Sequence, residues 1–198
     1  MHRITTLIIV ITACAATSLM AQADDPFYDL NAALGMAVQQ GDLAYAEKAL
    51  QLGAHTELPD SEGRTPLLLA VKKGDIELVR LLASRNARID ASDNKGYSAL
   101  HILAGEDVKG GDAVAKVCID YGHPLNPTDK AGNTPLHLAS AAGNETMVRL
   151  LIAVGASVNL KNSANKTAME VAKSDEIRKI MQVPAAATNP AAKADRPG

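Results

Sequence analysis

The chain has 198 residues, of which 47% are hydrophobic but only 3% aromatic, with no tryptophan and a formal net charge of −2. This mildly acidic balance excludes the strongly basic surface on which nucleic-acid binding depends, and it offers no charge-based attraction to a membrane surface. With one Phe and four Tyr, aliphatic side chains and alanine must build the core.

Arg3 gives a positive start, Ile4 to Ala16 is apolar apart from Thr5, Thr6 and Thr12, and Ala21-Gln22-Ala23 supplies the small-x-small pattern a signal peptidase accepts. The arrangement predicts a bacterial-type secretory signal over residues 1–23, cleaved after Ala23, and a periplasmic or secreted protein. Two alternatives stand beside it. One is an uncleaved anchor, against which the apolar run is short for a bilayer span. The other is lipidation at Cys14, because Ile11-Thr12-Ala13-Cys14 resembles a lipobox; against it, Ala15 to Met20 stays apolar where a lipoprotein tether is usually polar. Cleavage leaves 198 − 23 = 175 residues, one domain's worth, with 20 − 1 = 19 basic and 22 acidic residues, hence a charge of −3. It also leaves Cys118 as the one remaining cysteine, so no internal disulfide forms, and no membrane span is expected in the mature chain.

Downstream, the chain repeats itself. Gly63-Arg64-Thr65-Pro66-Leu67 returns as Gly96-Tyr97-Ser98-Ala99-Leu100, as Gly132-Asn133-Thr134-Pro135-Leu136 and as Asn165-Lys166-Thr167-Ala168-Met169, at intervals of 96 − 63 = 33, 132 − 96 = 36 and 165 − 132 = 33 residues. The first unit, about 28–62, has Gly41-Asp42 and Gly53-Ala54 in register but lacks Thr-Pro, as a terminal unit with one face in water would. The second, 63–95, is clear. Thr65 caps a first helix, with Pro66 in its first turn, where the missing N–H has no consequence. Leu67 and Ala70 face inward, and Gly74 ends the helix. Asp75 caps the next. Ile76, Val79 and Leu82 predict its buried stripe. Asn86 stands where Gly53, Gly122 and Gly155 stand elsewhere, a position that calls for a left-handed backbone.

The third unit, 96–131, departs from the pattern: Ser98-Ala99 replaces Thr-Pro, Leu103 occupies the place of Ala70 and Ala139, and three extra residues fall within 105–112 between the two helices. Insertions that leave a repeat intact go to loops. Cys118 takes the inward place held by Leu151 in the fourth unit, 132–164, and reads as a small buried hydrophobe. A short fifth unit, 165–181, closes the series with a shorter second helix. Residues 183–198 carry Ala, Pro, Asn and Lys without periodicity and are expected to be a disordered tail.

The period of 33, the Thr-Pro-Leu-His-x-Ala core at Thr134 to Ala139 and the recurring Gly-Ala turns resemble the ankyrin-repeat family. The resemblance covers residues 28–181, within a domain of 24–182. It implies an all-α solenoid of stacked helix-turn-helix units with β-hairpin-like fingers. It further implies a non-enzymatic protein-binding scaffold that grips its partner through the finger tips and the exposed face of each first helix. By matching residues, that surface comprises Glu62, Arg64, Lys72, Lys73, Asn94, Lys95, Tyr97, Lys130, Asn133 and Lys166. The expected partner is a protein of unspecified identity, the chain a monomer. An inhibitor or immunity protein for an exported enzyme or toxin is an alternative within the same class.

No catalytic, cofactor or metal residues are assigned. The chain contains no H-E-x-x-H, paired C-x-x-C, G-x-S-x-G or phosphate-cradling glycine loop. His101 and His137 follow the leucine of a helix start, so the repeat accounts for them, and the resemblance implies that they bond neighbouring backbone. His55 and His123 follow turns and are expected to be exposed. Glu106, Asp107 and Asp112 offer a competing reading, an enzyme or metal-binding protein whose site is built on the 105–112 loop and holds a hard cation, but a calcium site needs more ordered oxygens than these.

Overall fold

The computed structural model describes residues 29–182; the expected signal, Cys14 and the tail 183–198 lie outside the described residues. Four helix pairs run in chain order: α1 (Leu30–Gln40) with α2 (Leu43–Gln51), α3 (Pro66–Lys73) with α4 (Ile76–Ser84), α5 (Ala99–Gly105) with α6 (Gly111–Asp120), and α7 (Pro135–Ala142) with α8 (Glu145–Ala153). Helix α9 (Asp175–Gln182) closes the row. First helices pack in sequence, α1 on α3, α3 on α5 and α5 on α7, and second helices do the same.

The helix boundaries follow the local chemistry. The side chains of Asp42, Thr65, Asp75 and Asn144 accept the backbone N–H of Tyr45, Leu68, Leu78 and Met147, satisfying donors that the first turn leaves free. Pro66 and Pro135 occupy first turns. Asn86, at φ 63°, shares the left-handed turn of Gly53, Gly122 and Gly155, as expected.

The core repeats with the sequence. Leu34, Leu67, Leu100 and Leu136 stand at one position of successive first helices, and Ala49, Leu82, Cys118 and Leu151 at one position of the second helices; all are fully buried. Each leucine so placed contributes about 1.5–3 kcal/mol of transfer free energy, and its neighbours come from the adjoining pair as well as its own. Ile76 departs from the expected stripe: it is half-buried, and Leu78 takes the buried place beside Val79 and Leu82. The fifth unit is also reduced further than expected, since residues 168–171 form a turn rather than a first helix.

Two features of the fingers and the insertion differ from the sequence reading. Among the described residues the fingers form no strands; they are turns, with isolated bridges at Ser92–Ser98 and Lys161–Thr167. The 105–112 segment does not project freely. Glu106 meets Lys72 at 3.1 Å, Val108 packs against the core, and the Lys109 carbonyl reaches back over Gly74. Leu103 is accommodated because Gly111, 3.5 Å from its Cδ2 at the place a Cβ would take, has no side chain.

Gly74 thus carries two constraints: a φ of +72°, and a Lys109 oxygen 2.3 Å from where a Cβ would stand. Gly74→Ala is expected to lower stability by about 1–3 kcal/mol in urea melts, whereas Asn86→Gly raises it by a few tenths to about 1 kcal/mol. A neutral Gly74→Ala would show that the insertion does not seat on α3, and a clear loss in Asn86→Gly would contradict the left-handed turn.

Candidate protein-binding surface

Each finger is organised by one side chain. Asp60, Asp93, Asp129 and Asn162 recur at 93 − 60 = 33, 129 − 93 = 36 and 162 − 129 = 33 residues. In every case Oδ1 accepts two backbone N–H groups, from the residues two and four places on, at 2.8–3.1 Å. These Asx turns fold the finger tip. Neighbouring fingers are then bonded to one another: Asn94 N–H donates to Glu62 O at 2.9 Å, Lys130 N–H to Lys95 O at 3.2 Å, and Ser163 N–H to Ala131 O at 3.0 Å. The tips form one continuous ridge rather than separate loops.

The ten residues expected on the binding surface divide by environment. Glu62, Asn94, Lys95, Lys130 and Lys166 are exposed at or beside the tips. Among the described residues, no carboxylate lies within 4.0 Å of the Nζ of Lys95 or Lys130. Arg64, Tyr97 and Asn133 lie lower, half-buried, and brace the ridge. Arg64 holds Asp60 Oδ2 through Nε and Nη2 at 2.9 and 2.8 Å and Glu62 through Nη1 at 3.0 Å. Burial works against the Asp60 carboxylate, yet the guanidinium and two backbone N–H groups hold it below the usual carboxylate range. Tyr97 stacks on His101 with ring centroids 5.8 Å apart. Burial, with the nearby Asp129 and Asp93, pushes its hydroxyl upward. Asn133 donates to Asp129 Oδ2 at 3.1 Å and accepts from Asn162 Nδ2 at 2.8 Å. Lys72 is paired with Glu106, and Lys73 donates to the Gln39 carbonyl at the end of α1 at 2.6 Å.

Sequence reasoning passed over two sets of residues. The Asx residues were legible as Asp-x-x-Gly in the first three fingers and as Asn162-x-x-Asn165 in the fourth. The other set is a row on the first helices, Met36, Leu69, Ile102 and Leu138, spaced 33, 33 and 36 residues apart. Ile102 is buried, Leu69 and Leu138 are half-buried, and Met36 is exposed, so the row reaches the surface in the first, second and fourth units only.

The histidines tie helix to ridge. The Ser98 N–H donates to His101 Nδ1 at 3.2 Å, so the ring proton sits on Nε2, which donates to the Asn133 carbonyl of the next finger at 2.9 Å. His137 repeats the arrangement with Thr134 N–H at 3.2 Å and the Lys166 carbonyl at 3.0 Å. His55 is exposed, as expected, but His123 is not: it is buried, its Nδ1 lies 2.6 Å from the Pro124 carbonyl, and its Nε2 has no partner among the described residues. His123 stands where Ala54, Ala87 and Ala156 stand in the other units, and that alanine slot turns inward. Burial pushes the Cys118 thiol up to about 12, so it stays protonated at neutral pH and is no nucleophile. Among the described residues no three His, Cys, Asp or Glu side chains converge as a metal site would require.

The description "Ankyrin repeats (3 copies)" matches residues 34–109 and "Ankyrin repeats (many copies)" matches residues 119–172. The chain is 33% identical over 146 residues to the Danio rerio protein carrying the palmitoyltransferase name ZDHHC13, covering 73% of this chain and 22% of that one. It is 40% identical over 103 residues to the ankyrin repeat protein FPV240 of Fowlpox virus (strain NVSL), 51% of this chain and 24% of the other. It is 33% identical over 141 residues to the Mus musculus B-cell lymphoma 3 protein homolog, 70% and 31%. The chain therefore spans about a third or less of the length of these curated relatives.

Burial lowers the affinity of His123 for a proton, partly opposed by the Pro124 carbonyl, and burial acts likewise on His101 against the Asn133 carbonyl. Both rings thus titrate below 6.5 in the folded chain and near 6.5 once unfolded. Their contribution to stability is complete above about pH 6.5 and is lost as the pH falls through the folded values. The melting temperature is expected to drop between about pH 7.5 and pH 5.5, and His123→Ala to flatten that drop. An unchanged pH profile in the variant would contradict this assignment.

Proposed function

Because the chain belongs to the ankyrin-repeat family, we propose that it is a non-enzymatic scaffold that binds one protein partner along its finger ridge and the neighbouring first-helix face. The observation that carries this reading is the ridge itself. Its tips are exposed, their backbone is fixed by Asx turns and by finger-to-finger bonds, and Lys95 and Lys130 point outward without an acidic partner among the described residues. A surface ordered before binding loses little conformational entropy on association. Rim charges of this kind steer encounter and select partners more than they add affinity.

The setting is part of the proposal. The positive start, short apolar run and Ala21-Gln22-Ala23 support export to the periplasm or beyond, with Asp24 as the first mature residue. Among the described residues no helix is long and apolar enough to cross a membrane.

The test is capture of a partner from periplasmic extract by the mature chain, compared with a Lys95→Glu, Lys130→Glu double variant. These two residues suit the purpose better than Arg64 and Tyr97, whose side chains brace the fold. The variant is expected to keep its melting temperature and to lose several-fold or more of the captured partner. Equal capture by both proteins would contradict the ridge as the binding surface. Separately, the protein from the envelope fraction is expected to begin at Asp24 by intact mass; a chain still carrying residues 1–23 would contradict cleavage after Ala23.

A further inference from the structure

The scaffold reading leaves open what the partner presents, and one place on the first-helix face is specific enough to say. Four residues share the position facing the finger base: Gly35, Leu68, His101 and His137, at 35 + 33 = 68, 68 + 33 = 101 and 101 + 36 = 137. In the later units this position is filled by a side chain, and at His101 and His137 the ring reaches the next finger. In the first unit it carries a hydrogen. A Cβ built on Gly35 would meet nothing within 4 Å, and the helix there needs no glycine, since Gly35 is absent from the positive-φ residues. Gly35 opens onto a hollow of about 320 Å³.

Ala32, Leu58, Pro59, Pro66 and Leu69 give the hollow its apolar wall, beside the polar Asn31, Gln39 and His55, and Leu58 remains 49% exposed although it is a leucine. The rim is negative. Asp29 and Asp60 line it, and Glu62 stands beside them on Arg64. Three carboxylates there face one guanidinium, Arg64, which is already engaged by two of them. Asp29 is fixed by the N–H groups of Asn31 and Ala32, at 2.9 and 3.1 Å, and His55 N–H is held by Asn31 Oδ1 at 2.7 Å. The walls and rim are therefore ordered before anything enters. The acids repel an acidic segment and favour a cationic one.

We infer that the hollow at Gly35 receives one apolar side chain of the protein partner, flanked in that partner by a cationic residue. This rests on the scaffold reading and names the chemistry of its ligand. A rigid, preformed pocket that admits one apolar anchor is the setting in which single residues dominate binding. The charge of the rim then chooses among the apolar segments that could enter.

The probe is a set of short Gly-Ser peptides with a central Leu or Ala, flanked by Lys or by Glu, titrated into the 15N-labelled mature chain. The Leu peptide with Lys flanks is expected to shift the amides of Gly35, His55 and Leu69, and to bind about tenfold or more tighter than its Ala counterpart. Glu flanks are expected to abolish the shifts. Gly35→Leu projects a side chain into the floor of the hollow, so it is expected to hold or raise the melting temperature while removing the response; Gly35→Ala, a smaller intrusion, is expected to weaken it. Equal shifts with Leu and Ala centres, no shifts at millimolar peptide, or a full response in folded Gly35→Leu would each overturn the inference. So would nuclear Overhauser contacts from the chain's own Phe27 ring to Gly35 or Leu69, or self-association abolished by Gly35→Leu, because the occupant would then be this chain. A failed peptide titration beside a Lys95→Glu, Lys130→Glu variant that still loses its partner removes the hollow alone and leaves the scaffold reading standing.

Discussion

Among the described residues, no helix pair encloses a core of its own. Leu67 on α3 and Leu82 on α4 are buried only because α1 and α2 lie on one side and α5 and α6 on the other. The structure is therefore a chain of nearest-neighbour interfaces, each contributing apolar burial that neither pair obtains alone. This constraint explains the aliphatic composition, because layers of Leu, Val and Ala stack at close spacing without bulky aromatic rings. It also explains why Cys118 sits untroubled in a leucine position, its thiol protonated and enclosed.

The same stacking organises the polar side of the molecule. Once the helices are in register, the Asx residues at 60, 93, 129 and 162 bring each finger tip beside the next, and backbone bonds pass from finger to finger. His101 and His137 extend this linkage from helix to ridge. The surface is then uneven in a useful way. Its first unit carries an open hollow with an acidic rim, and its second and third fingers carry lysines without acidic partners among the described residues. Under the proposed scaffold reading, a partner that matched both ends would approach in one orientation, which is how a surface built from near-identical units can be selective.

Much of this was legible in the sequence, for a physical reason. A 33-residue period carries caps, glycine turns and inward leucines together, and each of these has a local cause that needs no tertiary information: Thr65, Asp75, Gly74 and Asn86 all behave as their residue types dictate. Failures of the sequence reading occur where one unit differs from the others. His123 looked exposed beside a glycine turn, but its slot is an inward alanine slot, and only alignment of Ala54, Ala87 and Ala156 would have shown it. The insertion looked like free loop because its contacts, Lys72 with Glu106 and Lys109 over Gly74, join residues of different units. Gly35 drew no notice because an absent side chain has no pattern; its meaning appears only beside Leu68, His101 and His137. Arg64 and Tyr97 were legible as finger residues, but not as braces, since their partners are set by the turn geometry.

The ridge forms a single body with the helical stack. Native-state hydrogen exchange at low denaturant measures this directly, at the amides of Asn94, Lys130 and Ser163 that donate from one finger to the next. If the claim holds, these three amides open with the same free energy and the same denaturant dependence as the buried amides of α5 and α7. Exchange at loop rates, with the helices still protected, would contradict it.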